Sequence, residues 1–280
     1  MRIILSRKGF DSASGGCPSP IFPDGSMFSL PIPYPRSPVT FDDLIWAGRA
    51  IGPLVERLTK GKIRRTDFAH LDPDLRRELR PRPAGWRPAL GQHRSAQSHL
   101  RKNGVCAGDL FLFWGLFRRV DEQLRWTGKR LHVLWGWLQV GEVLPVDNLR
   151  SASLEHWTRN HPHLDFEPDP SNTLYVATER LSLLDEGQHA ATGAGVFDTF
   201  SEERRFTAAG SAKPTLWSLP AAFFPGTRRP LTYHEHQDRW QLQGDKVLLT
   251  TVGRGQEFVL DASQYPEILP WVSELLSGRA

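Results

Sequence analysis

Residues 96–146, AQSHLRKNGVCAGDLFLFWGLFRRVDEQLRWTGKRLHVLWGWLQVGEVLPV, decide how the rest of the chain is read. Asp109–Trp114 and Leu131–Val140 are strongly apolar and rich in the aromatic and β-branched residues that suit a pleated, half-buried surface, so both are predicted strands. Between them Arg118–Arg130 is polar and carries the turn signal Thr127-Gly128-Lys129, which predicts an antiparallel hairpin with a long basic loop. Ahead of the first strand, Ala96–Lys102 reads as the end of a short helix that Asn103-Gly104 stops. Asp109 is expected to bond the turn amides and to be architectural. Trp135 and Trp137 share a face by the period of two, so one face of that strand at most presents a stacking platform.

With 280 residues the chain is long enough to bury a sizeable core, and ten Trp and fifteen Phe against two Met suit β-structure better than a helical bundle. Lys and Arg exceed Asp and Glu by only 35 to 31, which by itself identifies no polyanion binder. The distribution is uneven: residues 57–102 hold thirteen basic side chains against Asp67, Asp72, Asp74 and Glu78, while the remainder is net negative. That is either an electrostatic footprint for phosphates or a solvated helical face with a linker. Cys17 and Cys106 supply neither a disulfide framework nor a metal set, which fits a reducing compartment. No apolar run approaches membrane-spanning length, and a cytoplasmic protein is expected.

Arg2–Ser6 is predicted to be a buried first strand, and the loop after it, Arg7-Lys-Gly-Phe-Asp-Ser12, brings two cations and small donors together, as an anion or base-edge site requires. The same residues also fit an ordinary capped turn. Seven prolines between Cys17 and Pro38 predict an extended, wrapped segment. Thr40 is placed as the N-cap of a helix over Phe41–Ile51, Pro53–Thr59 as a second helix ended by Gly61, and Asp72 as the start of a third over Leu75–Leu79. Asp74 and His70 remain candidates for metal ligation or general-base work. Gln97, whose amide pairs a donor with an acceptor, is the better base reader on its helix, with His99 beside it. His156, His161 and His163 suggest zinc, although the proline between the last two and the missing acidic or sulfur partner make base or phosphate contacts as natural. Tyr233–His236 is read as a strand, Gly193-Ala-Gly195 is too sparse for a nucleotide fingerprint, and Tyr265–Ser277 is an amphipathic helix.

Ala96–Trp114 with the returning strand Gly136–Val143 resembles the helix, Gly-Asp turn and strands of PUA-like barrels of the EVE and ASCH groups. Over its length, from Arg7–Ser12 to Gly255–Asp261, the chain is also similar to the third nucleotide modification associated domain family. The first resemblance implies an α+β fold, a mixed, strongly curved PUA-like barrel that holds a flipped or modified base, and it makes Ser6, Lys8, Asp11 and Ser12 pocket residues. One domain over residues 1–280 is expected, with a helical insertion at about 40–102. Two functions follow. In the first, a nucleic-acid or nucleotide-binding protein seats a base with Ser6, Arg7, Lys8, Ser12, Gln97, His99 and Trp114. In the second, an enzyme modifies a nucleotide or base through Asp11, Asp74, His161 and His163. No metal set and no cofactor motif is identified.

Overall fold

The computed structural model describes residues 1–150, 157–182, 192–253, 255 and 257–277. Its main sheet joins strands β1 (Arg2–Arg7), β2 (Ser19–Ile21), β3 (Ala89–Gln92), β4 (Leu110–Val120), β5 (Trp126–Pro145), β6 (Thr173–Ala177), β7 (Ala194–Val196) and, near the C-terminus, β11 (Glu257–Asp261). The order is β11–β1–β4–β5–β6–β3, with β2 added to β4 and β7 to β5. β1 lies parallel to β4, as does β2, and the other pairs are antiparallel. The fold is α+β, and this mixed sheet curls into a half-barrel. A second, three-stranded sheet of β8 (Leu216–Pro220), β9 (Trp240–Gln243) and β10 (Lys246–Thr250) packs its Trp217, Leu219, Val247 and Leu249 into the same core. No helix of the described residues is long and apolar enough to cross a membrane.

The hairpin of residues 96–146 is the spine, but its strands run further than their apolar cores. β4 and the 20-residue β5 continue through the polar segment, leaving only 121–125 as the turn. Asp121 closes it by accepting from the amides of Gln123 (3.0 Å) and Arg125 (2.9 Å). Leu110–Phe117 is buried at every position, as a strand covered on both faces must be. Helix α2 (Arg94–Lys102) precedes it and ends at Gly104, whose φ is +67°. Asp109 accepts from the amides of Arg2 (2.7 Å) and Cys106 (2.9 Å), tying β1 to the turn.

Several local expectations fail for identifiable reasons. Phe41–Asp43 is one 3₁₀ turn, after which Ala47 (φ +48°) and Gly48 (φ +75°) reverse the chain in a hairpin that pairs Ile45–Trp46 with Arg49–Ala50. α1 (Gly52–Leu58) starts only beyond it, with Pro53 in its first turn. Leu75–Leu79 forms no α-helix, because Asp74 pairs with Ala89 and holds the chain extended along β3 before a short 3₁₀ turn at Arg77–Leu79. Tyr233–His236 is a turn, with Tyr233 at φ +68° and His234 buried. Residues 40–102 are thus irregular with short elements, and their Phe41, Val55 and Leu58 join Phe10 in a second apolar cluster. The C-terminal helix forms as α3 (Ile268–Leu276).

Two expectations for stability follow. Asp109→Ala leaves one amide of β1 and one of the turn without their acceptor and should lower the unfolding free energy in urea by about 2–4 kcal/mol, with Asp109→Asn losing less. His132 is buried and accepts from the Trp217 indole N–H (2.8 Å), and burial lowers its pKa to about 3. The unfolded chain therefore takes up this proton first, and stability is lost as pH falls from about 6.5 toward 3. Between pH 7.5 and 5.0, wild type should lose about 2 kcal/mol more than His132→Gln; equal losses would contradict it.

Candidate functional site

A curled sheet that stops short of closure leaves two edges facing each other, here β11 and β3. Glu257, first residue of β11, bridges them: it pairs with Ser6 of β1 in register, and its carboxylate accepts from the Gln92 side-chain amide of β3. The same oxygen accepts from Ser6 Oγ (3.1 Å) and Lys8 Nζ (3.3 Å). Over this seam lies a cavity of about 220 Å³, lined among others by Arg7, Lys8, Asp11, Tyr34, His93 and Phe166. It runs into a wider outer cleft that shares Tyr34, His93 and Phe166 and adds Arg36 and Arg94.

The floor of the cavity is a cluster around Asp72. Residues 72–74 cover the free edge of β3, so Gly91 N donates to Asp72 Oδ1 (2.6 Å), and the Asp72 side chain is only 5% exposed. His161 Nε2 stands 3.5 Å from Oδ1, while His163 Nε2 (3.7 Å) and His70 Nε2 (3.9 Å) face Oδ2. His70, Asp72 and His163 each offer one ligand atom, all within 4.8 Å of one another. Phe166 packs against His70, His93 and His163 and, with Tyr34, forms the aromatic wall.

Burial sets the protonation states. It pushes the Asp72 carboxyl up to about 7, against the opposing pull of Lys8 and of the Gly91 amide. It lowers His70 and His161 to about 3 and holds His163 well below its ordinary value, so all three imidazoles are neutral at pH 7. Asn172 Nδ2 donates to the His163 carbonyl (2.8 Å), which fixes the amide and turns Oδ1 toward His163 Nδ1 (2.6 Å). The His163 proton therefore sits on Nδ1, and a lone pair on Nε2 points at Asp72.

Of the residues singled out in the sequence, Arg7, Lys8, Asp11, His70 and His163 line the cavity, and His161 reaches Asp72. Asp11 acts mainly as a turn residue, one oxygen accepting from the amides of Ala13 and Ser14 (2.7 Å each). Ser12 is exposed and does not border the cavity, and Ser6 is buried behind it on Glu257. Asp74 is held bidentately by Arg82 (2.6 Å twice). Gln97 is buried under the Tyr175 hydroxyl (3.0 Å), and His99 stacks on Tyr233. Trp114 is 2% exposed and edge-on to Trp217, so it offers no stacking face.

Nor does the basic segment form one footprint. Arg65, Arg76, Arg82 and Arg87 are taken up by Asp42, Glu78 with Asp198, Asp74 and Glu142, while Arg57 and Lys60 border a different groove. None of the thirteen is among the residues lining the seam cavity, whose cations are Arg7 and Lys8. Sequence reading missed Asp72, Gln92 and Glu257. Only the His70-x-Asp72 spacing could have revealed the first, since alternate residues of an extended segment share a side. His156 lies outside the described residues.

Gly91 is indispensable for close approach: a methyl group on it would overlap the His163 ring. Gly91→Ala should lower the unfolding free energy by about 1–3 kcal/mol in urea melts, and a change below about 0.5 kcal/mol would contradict this packing.

No curated protein and no solved structure matches the chain. A family model, nucleotide modification associated domain 3, matches residues 2–261, nearly the whole chain. The chain belongs to that family, and its role is linked to nucleotide modification.

Proposed function

We propose that the seam cavity takes a single nucleotide unit, its base against Tyr34 and Phe166 and its phosphate at Arg7 and Lys8. The observation that carries this reading is the pairing, within one cavity, of an aromatic wall with the two cations that follow β1. The resemblance to PUA-like barrels, which hold a base, and membership of a nucleotide-modification family support it. The dispersal of the cations of residues 57–102 favours one nucleotide unit over a long polymer track. Calorimetric titration with nucleosides and their 5′-monophosphates is expected to find tighter binding of the phosphorylated forms. Tyr34→Ala should weaken that binding by about 1–3 kcal/mol, the usual worth of a base–aromatic stack. Absence of binding to every nucleoside and nucleotide at millimolar concentration, or full affinity in Tyr34→Ala, would reject the assignment.

The Asp72 cluster favours a second reading, in which the held nucleotide is modified here. A buried carboxylate ringed by histidines exceeds what recognition of a base edge needs. Mass spectrometry of nucleosides and nucleotides from cells carrying wild type or Asp72→Asn separates the two. A product present only with wild type supports modification, and identical profiles support binding alone.

A further inference from the structure

Around Asp72 the hydrogen-bond inventory does not balance. Oδ1 has the Gly91 amide at 2.6 Å, and His161 Nε2 faces it at 3.5 Å. His161 Nδ1 accepts from His163 N (3.3 Å), which leaves the ring's proton on Nε2, toward the carboxylate. Oδ2 is different. It faces the Nε2 lone pair of His163, whose proton Asn172 keeps on the far side of the ring, at 3.7 Å. Its other neighbour is His70, a ring with a 9% exposed side chain whose Nδ1 has no hydrogen-bond partner and whose Nε2 stands 3.9 Å away. Two bare acceptors aimed at one point repel unless a proton or a metal ion stands between them.

We propose that His70 Nε2, Asp72 Oδ2 and His163 Nε2 bind a divalent transition-metal ion. Bonds of about 2.1 Å in a tetrahedral arrangement set ligand atoms about 3.4 Å apart, so the two histidine–carboxylate spacings, 3.9 and 3.7 Å, need a few tenths of an ångström of closure, and the histidine nitrogens, within 4.8 Å of each other, up to about 1.4 Å. Two imidazoles and one carboxylate select such an ion over magnesium or calcium, which favour all-oxygen sets. All three residues line the cavity, so a remaining coordination position opens toward it, the arrangement of a catalytic rather than a structural metal. His161 and Asn172 act on the ligands from behind, one on the carboxylate and one on the His163 ring, and are positioning residues.

The inference does not depend on the nucleotide reading, because metal uptake is measured with no nucleotide present. Full-length protein stripped with a chelator is titrated calorimetrically with Co²⁺, Zn²⁺ and Mg²⁺, and the Co²⁺ form is examined by visible absorption. One Co²⁺ or Zn²⁺ per chain is expected, with imidazole-ligand absorption bands, a raised Tm, and no comparable uptake of Mg²⁺. His70→Ala should lose affinity by more than about 100-fold, beyond the loss of an outer partner. Its stripped Tm should fall, because the ring packs on Tyr34 and Phe166, so affinities are compared at a temperature where both stripped proteins are folded. If His70→Ala fails to fold, His70→Gln is read in its place. His99→Ala, which removes a histidine outside the cavity, should bind as wild type. Less than stoichiometric uptake by folded protein, equal preference for Mg²⁺, or undiminished affinity in the His70 variant would overturn the assignment.

Discussion

A sheet that curls without closing must do something with its two edges, and in this protein that constraint sets the position of everything chemically active. The edges, β3 and β11, are joined through side chains, with Gln92 reaching Glu257 across the gap. Once a carboxylate sits in that gap it must be compensated, and Ser6 and Lys8 from the end of β1 are the groups within reach. The cavity is the space that side-chain closure leaves where backbone pairing would have filled it.

The second carboxylate follows from the same edge. Residues 72–74 cover β3 and satisfy part of its hydrogen-bonding rim, which brings Asp72 to the Gly91 amide and away from water. Gly91 is small enough for the His163 ring to lie on β3, so two neighbouring segments deliver imidazoles to one carboxylate. Burial then leaves those rings neutral, with lone pairs in place of charges. A site of this kind is selective for a cation that accepts nitrogen lone pairs.

The spine of the fold was legible because its signals are local. The apolar runs of β4 and β5, the Asn103-Gly104 stop and the Asp109 bond to the Cys106 amide all depend on residues close in the chain. So was the loop after β1, since Arg7, Lys8 and Asp11 stand where a strand delivers its end. The helix read into Phe41–Ile51 failed because the left-handed Ala47-Gly48 pair outweighs the apolar spacing around it. Asp72 was misread because Asp-Pro is a common helix start, and only pairing of residues 72–74 with β3 shows it as an edge segment. Glu257 and Gln92 lie 165 residues apart, so nothing local could join them. The basic segment misled for a related reason: composition counts cations but not the carboxylates that Arg76, Arg82 and Arg87 meet from elsewhere in the fold.

The convergence of unprotonated acceptors on Asp72 is tested most directly by nitrogen-15 NMR of the histidine rings in stripped protein at neutral pH. The expected result is a neutral His163 with its proton on Nδ1, bonded to Asn172, and a bare Nε2 that shifts when Zn²⁺ is added. A His163 that carries its proton on Nε2, or is doubly protonated at that pH, would place a donor against Asp72 and remove the reason for a cation there.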